Sequence, residues 1–230
     1  MRVVILSDVH VVGLDDPVQA QLVRFLAGLE ADQLWILGDL FHAGWDFRGR
    51  VAPGLAPTVD ALQALCARGA GLGFVAGNHD FGLASLFARQ LGAEVCGPHV
   101  RDLDGTRVLL AHGDEADTSL GYALTRRLLR SAAFDALVVA MGEERGTRFL
   151  LRLAGASRDY LAPRSRLVEA QARWAEAKLA ELDASIAVLG HSHALGETAL
   201  PHGRLFNLGD WRDGPRWLEI VDGRPTLMPR

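Results

Sequence analysis

Five short polar clusters in this 230-residue chain carry the side chains that bind metal ions: Asp8-Val-His10, Gly38-Asp39, Gly77-Asn78-His79-Asp80, His112-Gly-Asp114 and Gly190-His191-Ser-His193. An Asp and a His two apart on an extended segment can both turn toward one ion, and His191 with His193 repeats the device. Carboxylate, amide and imidazole with no thiolate suit Mn, Fe or Zn better than Ca or a cysteine-type structural zinc. Seven donors (Asp8, His10, Asp39, Asn78, His112, His191 and His193) are too many for one such ion, so two divalent ions sharing Asp39 is the economical arrangement. Two ions about 3.5–4 Å apart can hold both oxygens of an in-line displacement at phosphorus.

Each cluster follows a run that reads as a buried strand. Arg2 to Ser7 ends at Asp8, Leu34 to Leu37 at Gly38-Asp39, Gly73 to Ala76 at Gly77-Asn78, Arg107 to Ala111 at His112, and Ser185 to Leu189 at Gly190-His191. These runs are rich in Val, Ile and Leu and lack a helical period. Between them, Pro17 to Leu29, Thr58 to Arg68 and Leu83 to Gln90 repeat apolar residues at helical spacing. Strand and helix in alternation predict an α/β fold with a largely parallel sheet, where ligands collect at the carboxyl ends of the strands. Glycines 38, 77 and 190 would let the backbone turn sharply beside the ions. Short runs at Arg204 to Asn207 and Arg216 to Val221, set off by Pro and Gly, predict hairpin strands completing a second sheet layer.

Residues 118 to 183 break this rhythm. They hold eleven Arg/Lys against eight Asp/Glu, whereas the rest of the chain holds thirteen against twenty, and an amphipathic stretch carries Leu167, Val168, Trp174, Ala175, Leu179 and Leu182. This segment reads as a helical insertion beside the site. The overall net charge of −4 argues against tracking a nucleic-acid backbone. Cys66 and Cys96 form no metal-ligand spacing and no disulfide framework, which suits a reducing compartment. The five-residue apolar run before Asp8 is too short for a signal peptide or a membrane span, so the protein is expected inside the cell.

The ordered series of five motifs resembles the calcineurin-like metallophosphoesterase family, over most of the chain outside residues 118 to 183. That resemblance implies a four-layer αββα sandwich, with residues 1–117 and 184–230 as the core and 118–183 as a helical cap. It implies that Asp8, His10, Asp39 and His193 hold one ion and that Asp39, Asn78, His112 and His191 hold the other, the metal being Mn, or alternatively Fe or Zn. It further implies that His79 protonates the leaving oxygen, with Asp80 orienting its ring and Asp114 supporting His112.

Within the family, Gly38-Asp-Leu-Phe41, Tyr122 shortly after His112-Gly-Asp114, the helical insertion and Leu208-Gly-Asp-Trp211 are similar to the bacterial UDP-2,3-diacylglucosamine diphosphatases of lipid A synthesis. The implied reaction is cleavage of a pyrophosphate to UMP and 2,3-diacylglucosamine 1-phosphate. His42, Tyr122, Arg126, Arg130 and Trp211 become candidate substrate contacts, and Phe134, Leu137, Val138, Val139 and Met141, with Phe149, Leu150, Leu151 and Leu153, of the insertion could line an acyl groove. A peripheral contact with the inner membrane follows from a lipid substrate and a basic, apolar insertion. The chain departs from those enzymes where they commonly read Gly-Asn-Arg-Asp, here carrying His79, and in Ser119-Leu120 and Ala194-Leu195. These departures favour an alternative, a phosphodiesterase or phosphatase for a soluble nucleotide or small phosphoester. A non-catalytic binding module on the same scaffold ranks last, because no ligand is missing.

Overall fold

Val3 and Ile5 point to one side of the first strand and Val4 and Leu6 to the other, and all four are fully buried. Such a strand needs cover on both faces, and the computed structural model, which describes residues 1–158 and 164–229, supplies it. The first strand, β1 (Arg2–Leu6), pairs in parallel with β2 (Gln33–Leu37), which pairs with β3 (Gly71–Val75), which pairs with β4 (Glu94–Cys96). A second sheet has the order β5-β6-β7-β9-β8, from β5 (His99–Leu103), β6 (Thr106–Leu110), β7 (Ile186–Leu189), β8 (Leu195–Leu200) and β9 (Gly203–Leu208). Its inner strands β6, β7 and β9 are parallel, and its edges β5 and β8 are antiparallel.

Three apolar layers fix the stacking. Val4, Leu6, Leu34, Ile36 and Phe74 meet α1 (Pro17–Gly28), α2 (Ala56–Ala67) and α3 (Ala84–Leu91) through Leu22, Leu26, Leu62 and Phe87. Val3, Ile5, Leu37 and Val75 meet Val108, Leu110, Val188 and Phe206 between the sheets. Leu109, Ala187, Leu189 and Leu205 meet Ala175 and Leu179 of α6 (Arg164–Leu182). The result is the αββα sandwich.

One sheet assignment needs correcting. Of the two hairpin runs expected to complete the second layer, Arg204 to Asn207 lies in β9, but Arg216 to Val221 forms β10 (Trp217–Val221), which joins β1 antiparallel in the first sheet. The reason is burial: Leu218 and Ile220, opposite Ile5 and Val3 in the ladder, add to the layer between the sheets. A last strand, β11 (Arg224–Met228), closes that edge.

Residues 118 to 183 fold as α4 (Leu120–Leu129), α5 (Ala132–Arg158) and α6, and the three play different parts. The last of them is the outer helical layer of the second sheet. The first half of α5 packs by Phe134 and Val138 against Trp45 and Phe47, and at Gly142, with φ 77°, the helix is interrupted before Leu150 rejoins the same cluster. No residue of α4 is buried. Among the described residues no helix is long and apolar enough to cross a membrane.

Candidate metal centre

The loops leaving β1, β2, β3, β6 and β7 bring all seven expected donors together. One group gathers Asp8, His10 and His193: His10 Nε2 lies 3.1 Å from His193 Nε2 and 3.8 Å from Asp39 Oδ2, and His193 Nε2 lies 3.5 Å from Asp8 Oδ1. The other gathers round Asn78, whose Oδ1 lies 3.1 Å from His112 Nε2 and 3.0 Å from His191 Nδ1, with Asp39 Oδ2 3.4 Å from His112 Nε2. Asp39 Oδ2 faces both groups. Donors about 2.1 Å from a common ion and at right angles to one another stand about 3 Å apart, so spacings of 3.0 to 3.8 Å would suit two coordination shells with one shared carboxylate.

The donor set fits cations electrostatically. Asp8 and Asp39 are 0 and 1% exposed. Burial, with the charge of Asp39 beside it, pushes the Asp8 carboxyl up to about 6 when no cation is present. Burial likewise pushes His10 well below the ordinary histidine range, leaving the ring neutral and able to donate a lone pair. A divalent ion would offset this crowding of buried carboxylates and take the lone pairs of His10 and His191, which burial keeps neutral. It would also displace the protons that neighbouring carboxylates, against the effect of burial, favour on His112 and His193.

The backbone is strained where the donors sit. Asp8, His10, Asp39, His191 and His193 all adopt φ between 51° and 66°, the left-handed region, at a cost of about 1–3 kcal/mol each. Gly38, at φ 78°, turns the chain between β2 and Asp39, and a side chain on Gly77 would collide with the Asp39 carboxylate. Hydrogen bonds hold the loops in this shape. The Asp8 carboxylate accepts from His191 N at 3.0 Å, Asp39 Oδ1 accepts from His79 N at 2.9 Å, and Gly190 N donates to His112 O at 2.8 Å.

Three placements differ from the expected roles. Asp80 does not orient the His79 ring; its carboxylate turns inward and accepts from Leu40 N at 2.7 Å and Gly77 N at 3.0 Å. Burial and the nearby Asp39 push its carboxyl up to about 7. His79 is held instead by His42, whose carbonyl accepts from Nδ1 at 3.0 Å and whose ring stacks on it at 4.9 Å between centroids. Asp114 makes no hydrogen bond to His112, whose Nδ1 donates to Leu37 O at 2.7 Å; Asp114 accepts from Tyr122 Oη at 2.7 Å and pairs with Arg126 at 3.5 Å. Trp211 does not reach the site. Its backbone N donates to Asp8 O at 3.1 Å, which sends its ring, 0% exposed, into the core edge-on to Phe25.

Two further residues, Asp210 and Gln171, had no role expected from the sequence, and the candidate substrate contact His42 has a second one. Asp210 accepts from His193 Nδ1 at 3.0 Å, and although burial opposes it, the bonds from His193 and Arg212 hold its carboxyl far below the usual range. Gln171, buried on α6, donates to Gly190 O at 2.8 Å and accepts from Asn207 Nδ2 at 2.8 Å, tying the loop after β7 to the helix and to β9. His42 Nδ1 lies 3.4 Å from His10 Nδ1, so one histidine backs another. Each had a faint signal: Asp210 precedes Trp211 in the motif, and Gln171 interrupts the apolar stripe between Leu167 and Ala175.

A cavity of about 420 Å³ opens from this centre under the insertion. It is lined by Asn78, His79, His191 and His42, by Tyr122, Arg126 and Leu129 of α4 with Arg130 just after it, and, of the apolar residues expected at a groove, by Phe134, Leu150 and Leu153 of α5 but not Leu137, Val138, Val139, Met141, Phe149 or Leu151. Arg130 lies 5.4 Å over the Phe81 ring. The lining joins imidazoles, an amide and two arginines to phenyl and leucyl groups, as an amphiphilic ligand requires.

A family model described as calcineurin-like phosphoesterase matches residues 1–195. The UDP-2,3-diacylglucosamine hydrolase of Aeromonas salmonicida is 32% identical over 239 residues, covering 100% of this chain and 94% of that protein. The protein of the same description from Ectopseudomonas mendocina is 30% identical, covering 96% and 94%. Among solved structures, Vps29 of Chaetomium thermophilum superposes with a TM-score of 0.50 at 14% identity, covering 99% of this chain and 88% of that one, a likeness of fold.

Proposed function

This chain belongs to the calcineurin-like phosphoesterase family and is a metal-dependent phosphohydrolase, and from that premise we propose that it hydrolyses UDP-2,3-diacylglucosamine to UMP and 2,3-diacylglucosamine 1-phosphate. The observation that carries this reading is the chamber itself, one cavity lined both by Asn78 and His191 of the donor cluster and by Phe134, Leu150 and Leu153 of the insertion. The full-length similarity to the UDP-2,3-diacylglucosamine hydrolases supports it.

Asp8, His10, Asp39 and His193 would hold one divalent ion, and Asp39, Asn78, His112 and His191 the other, Mn being the preferred metal for this mixed oxygen and nitrogen set. When bound, the ions supply Lewis acidity at the phosphoryl oxygens and a nucleophile from water at neutral pH. The protein's own groups do the rest. His79, at the cavity floor with Nδ1 committed to His42 O, presents its other ring nitrogen to donate a proton to the departing oxygen. In the overall step water adds to one phosphorus, the P–O bond to the bridging oxygen breaks, and that oxygen leaves with the second phosphate and takes the proton. Arg126 and Arg130 stand at the cavity wall to meet phosphate charge, and the phenyl and leucyl groups take the acyl chains. The same reading puts the protein in the cytoplasm, in peripheral contact with the inner membrane.

A second reading, hydrolysis of a soluble nucleotide diester, is favoured by the stacked His42–His79 pair, a smaller floor than an arginine would give. The test is release of UMP from UDP-2,3-diacylglucosamine in mild detergent with Mn²⁺, with a soluble nucleotide diester assayed alongside. Turnover of the lipid well above the diester is expected; turnover of the diester alone would replace the first reading by the second.

A further inference from the structure

Glu94 and Cys96 stand two apart on β4 and so share one face of that strand. Gly97 and Pro98 then carry the chain from the first sheet to the second, and His99 opens β5. Each of these strands is the last at one side of its sheet, so the three residues lie where the edge of one sheet is linked to the edge of the other. A carboxylate oxygen of Glu94, Cys96 Sγ and a ring nitrogen of His99 all lie within 4.8 Å of one another. None of the three belongs to the metal centre described above. Cys66, the other cysteine, packs on α2 in the outer apolar layer, so the partner of Cys96 is not a second thiol but a histidine three residues on.

The His99 ring is oriented as a ligand. A carbonyl can only accept, so Nδ1 donates to Gly97 O at 3.0 Å, which leaves the lone pair on Nε2, and Nε2 faces Cys96 Sγ at 3.6 Å. A ligating histidine ordinarily commits its other N–H to a carbonyl or carboxylate in this way. Burial holds His99 below the ordinary histidine range despite the Gly97 bond, so the ring is neutral at pH 7. The Trp35 ring packs against it at 5.3 Å between centroids. A sulfur about 2.3 Å and a nitrogen about 2.05 Å from one zinc ion, at the tetrahedral angle, stand about 3.6 Å apart, which is the spacing found here. Arg101 pairs with Oε2 of Glu94, and Oε1 remains to meet an ion; Glu94 is exposed, which gives an ion a path from solvent. Burial pushes the Cys96 thiol up to about 11, so in the metal-free chain the thiol keeps its proton and donates it across the gap to Nε2.

We propose that Glu94, Cys96 and His99 bind a thiophilic divalent ion, zinc by preference, which clips the two sheets together at this edge. Binding replaces the S–H proton, released to solvent, by a sulfur–metal bond, and a water completes the tetrahedral shell. Mn²⁺, which favours oxygen donors, leaves this site empty while it fills the other. The probe is Co²⁺ added to the full chain already loaded with Mn²⁺. The seven donors of the main centre include no sulfur, so a near-ultraviolet sulfur-to-cobalt charge-transfer band reports a cysteine site alone. Wild type is compared with Cys96→Ser, His99→Gln and Cys66→Ser, with circular dichroism as the check on folding. Wild type and Cys66→Ser should show the band, saturating at one equivalent and bleached by zinc. Cys96→Ser should lack it, and His99→Gln should bind Co²⁺ more weakly by roughly tenfold or more. Zinc should also raise the Tm of the wild type further than that of Cys96→Ser. No band in the wild type would overturn the proposal, as would a band that survives Cys96→Ser or is indifferent to His99→Gln, or equal Tm responses to zinc in wild type and Cys96→Ser. So would a zinc-dependent dimer in sedimentation velocity that Cys96→Ser abolishes, because the ion would then be shared between two copies.

Discussion

Of the nine non-glycine residues with positive φ among the described residues, five are proposed metal ligands, so the backbone strain of this chain is concentrated where its donors converge. Strain of this kind persists only where neighbouring bonds over-determine it. The bonds in question are identifiable. Asp210 holds the outer nitrogen of His193, Leu37 O that of His112, and His42 that of His10. Removing such a partner weakens metal binding typically by about 10–100-fold. Asp210→Asn is accordingly expected to lower Mn²⁺ affinity by that order in an equilibrium titration, and an unchanged affinity would show that Asp210 does not position His193. His79 should behave in the opposite way, because its ring, though edge-on to His10 at 5.1 Å between centroids, hydrogen-bonds to His42 O and to no donor of the centre. His79→Ala should slow turnover by roughly 10²–10⁴-fold with its metal content intact; loss of metal in that variant would place His79 in the metal shell instead. The donors were legible in sequence because each directly follows an apolar run. The partners were not, since Asp210 and Gln171 come from segments remote in the chain, and a lone Asp or Gln has no spacing to betray it.

At the scale of elements, the strands that carry donors are those whose apolar runs could be read directly, namely β1, β2, β3, β6 and β7. The strands that went unread are short or polar: β8 is largely exposed and is held by its ladder to β9, and β4 has three residues. The placement of β10 could not be told from its own residues, because Leu218 and Ile220 would suit the inner face of either sheet; pairing with β1 decided it. In the insertion, composition showed one basic, apolar unit, yet α6 buries Gln171, Ala175 and Leu179 as a layer of the core, whereas α4 buries nothing. What ties α4 to the centre is polar: Tyr122 Oη donates to the buried Asp114, and Arg126 pairs with Asp114 and Glu115. Tyr122→Phe deletes that donor and leaves a buried carboxylate oxygen short of a partner, a loss of about 1–3 kcal/mol. A raised KM with metal content unchanged, together with faster proteolysis within residues 118 to 131, is expected. A variant with wild-type KM and protease resistance would show that α4 is fixed by other contacts.

For the whole molecule, the sandwich works as a clamp in which both sheets present their strand ends to one centre. Asp8, His10, Asp39 and Asn78 come from the first sheet, and His112, His191 and His193 from the second. Ions bound there would cross-link the two halves and so link metal binding to folding. At metal concentrations about 100 times the dissociation constant each site adds about 2.7 kcal/mol, or roughly 5–10 °C in Tm for a domain of this size. Chelation should lower the Tm by at least that amount, and Mn²⁺ should restore it; a Tm indifferent to chelation would separate the metal from the fold. The central claim is narrower, that seven side chains hold two ions sharing Asp39. It is tested most directly by counting metal in the purified, Mn²⁺-reloaded chain and in Asp39→Ala by plasma mass spectrometry. The account predicts two equivalents per chain in the wild type, and at most one, with turnover abolished, in the variant. One equivalent in the wild type, or two with full turnover in Asp39→Ala, would contradict it.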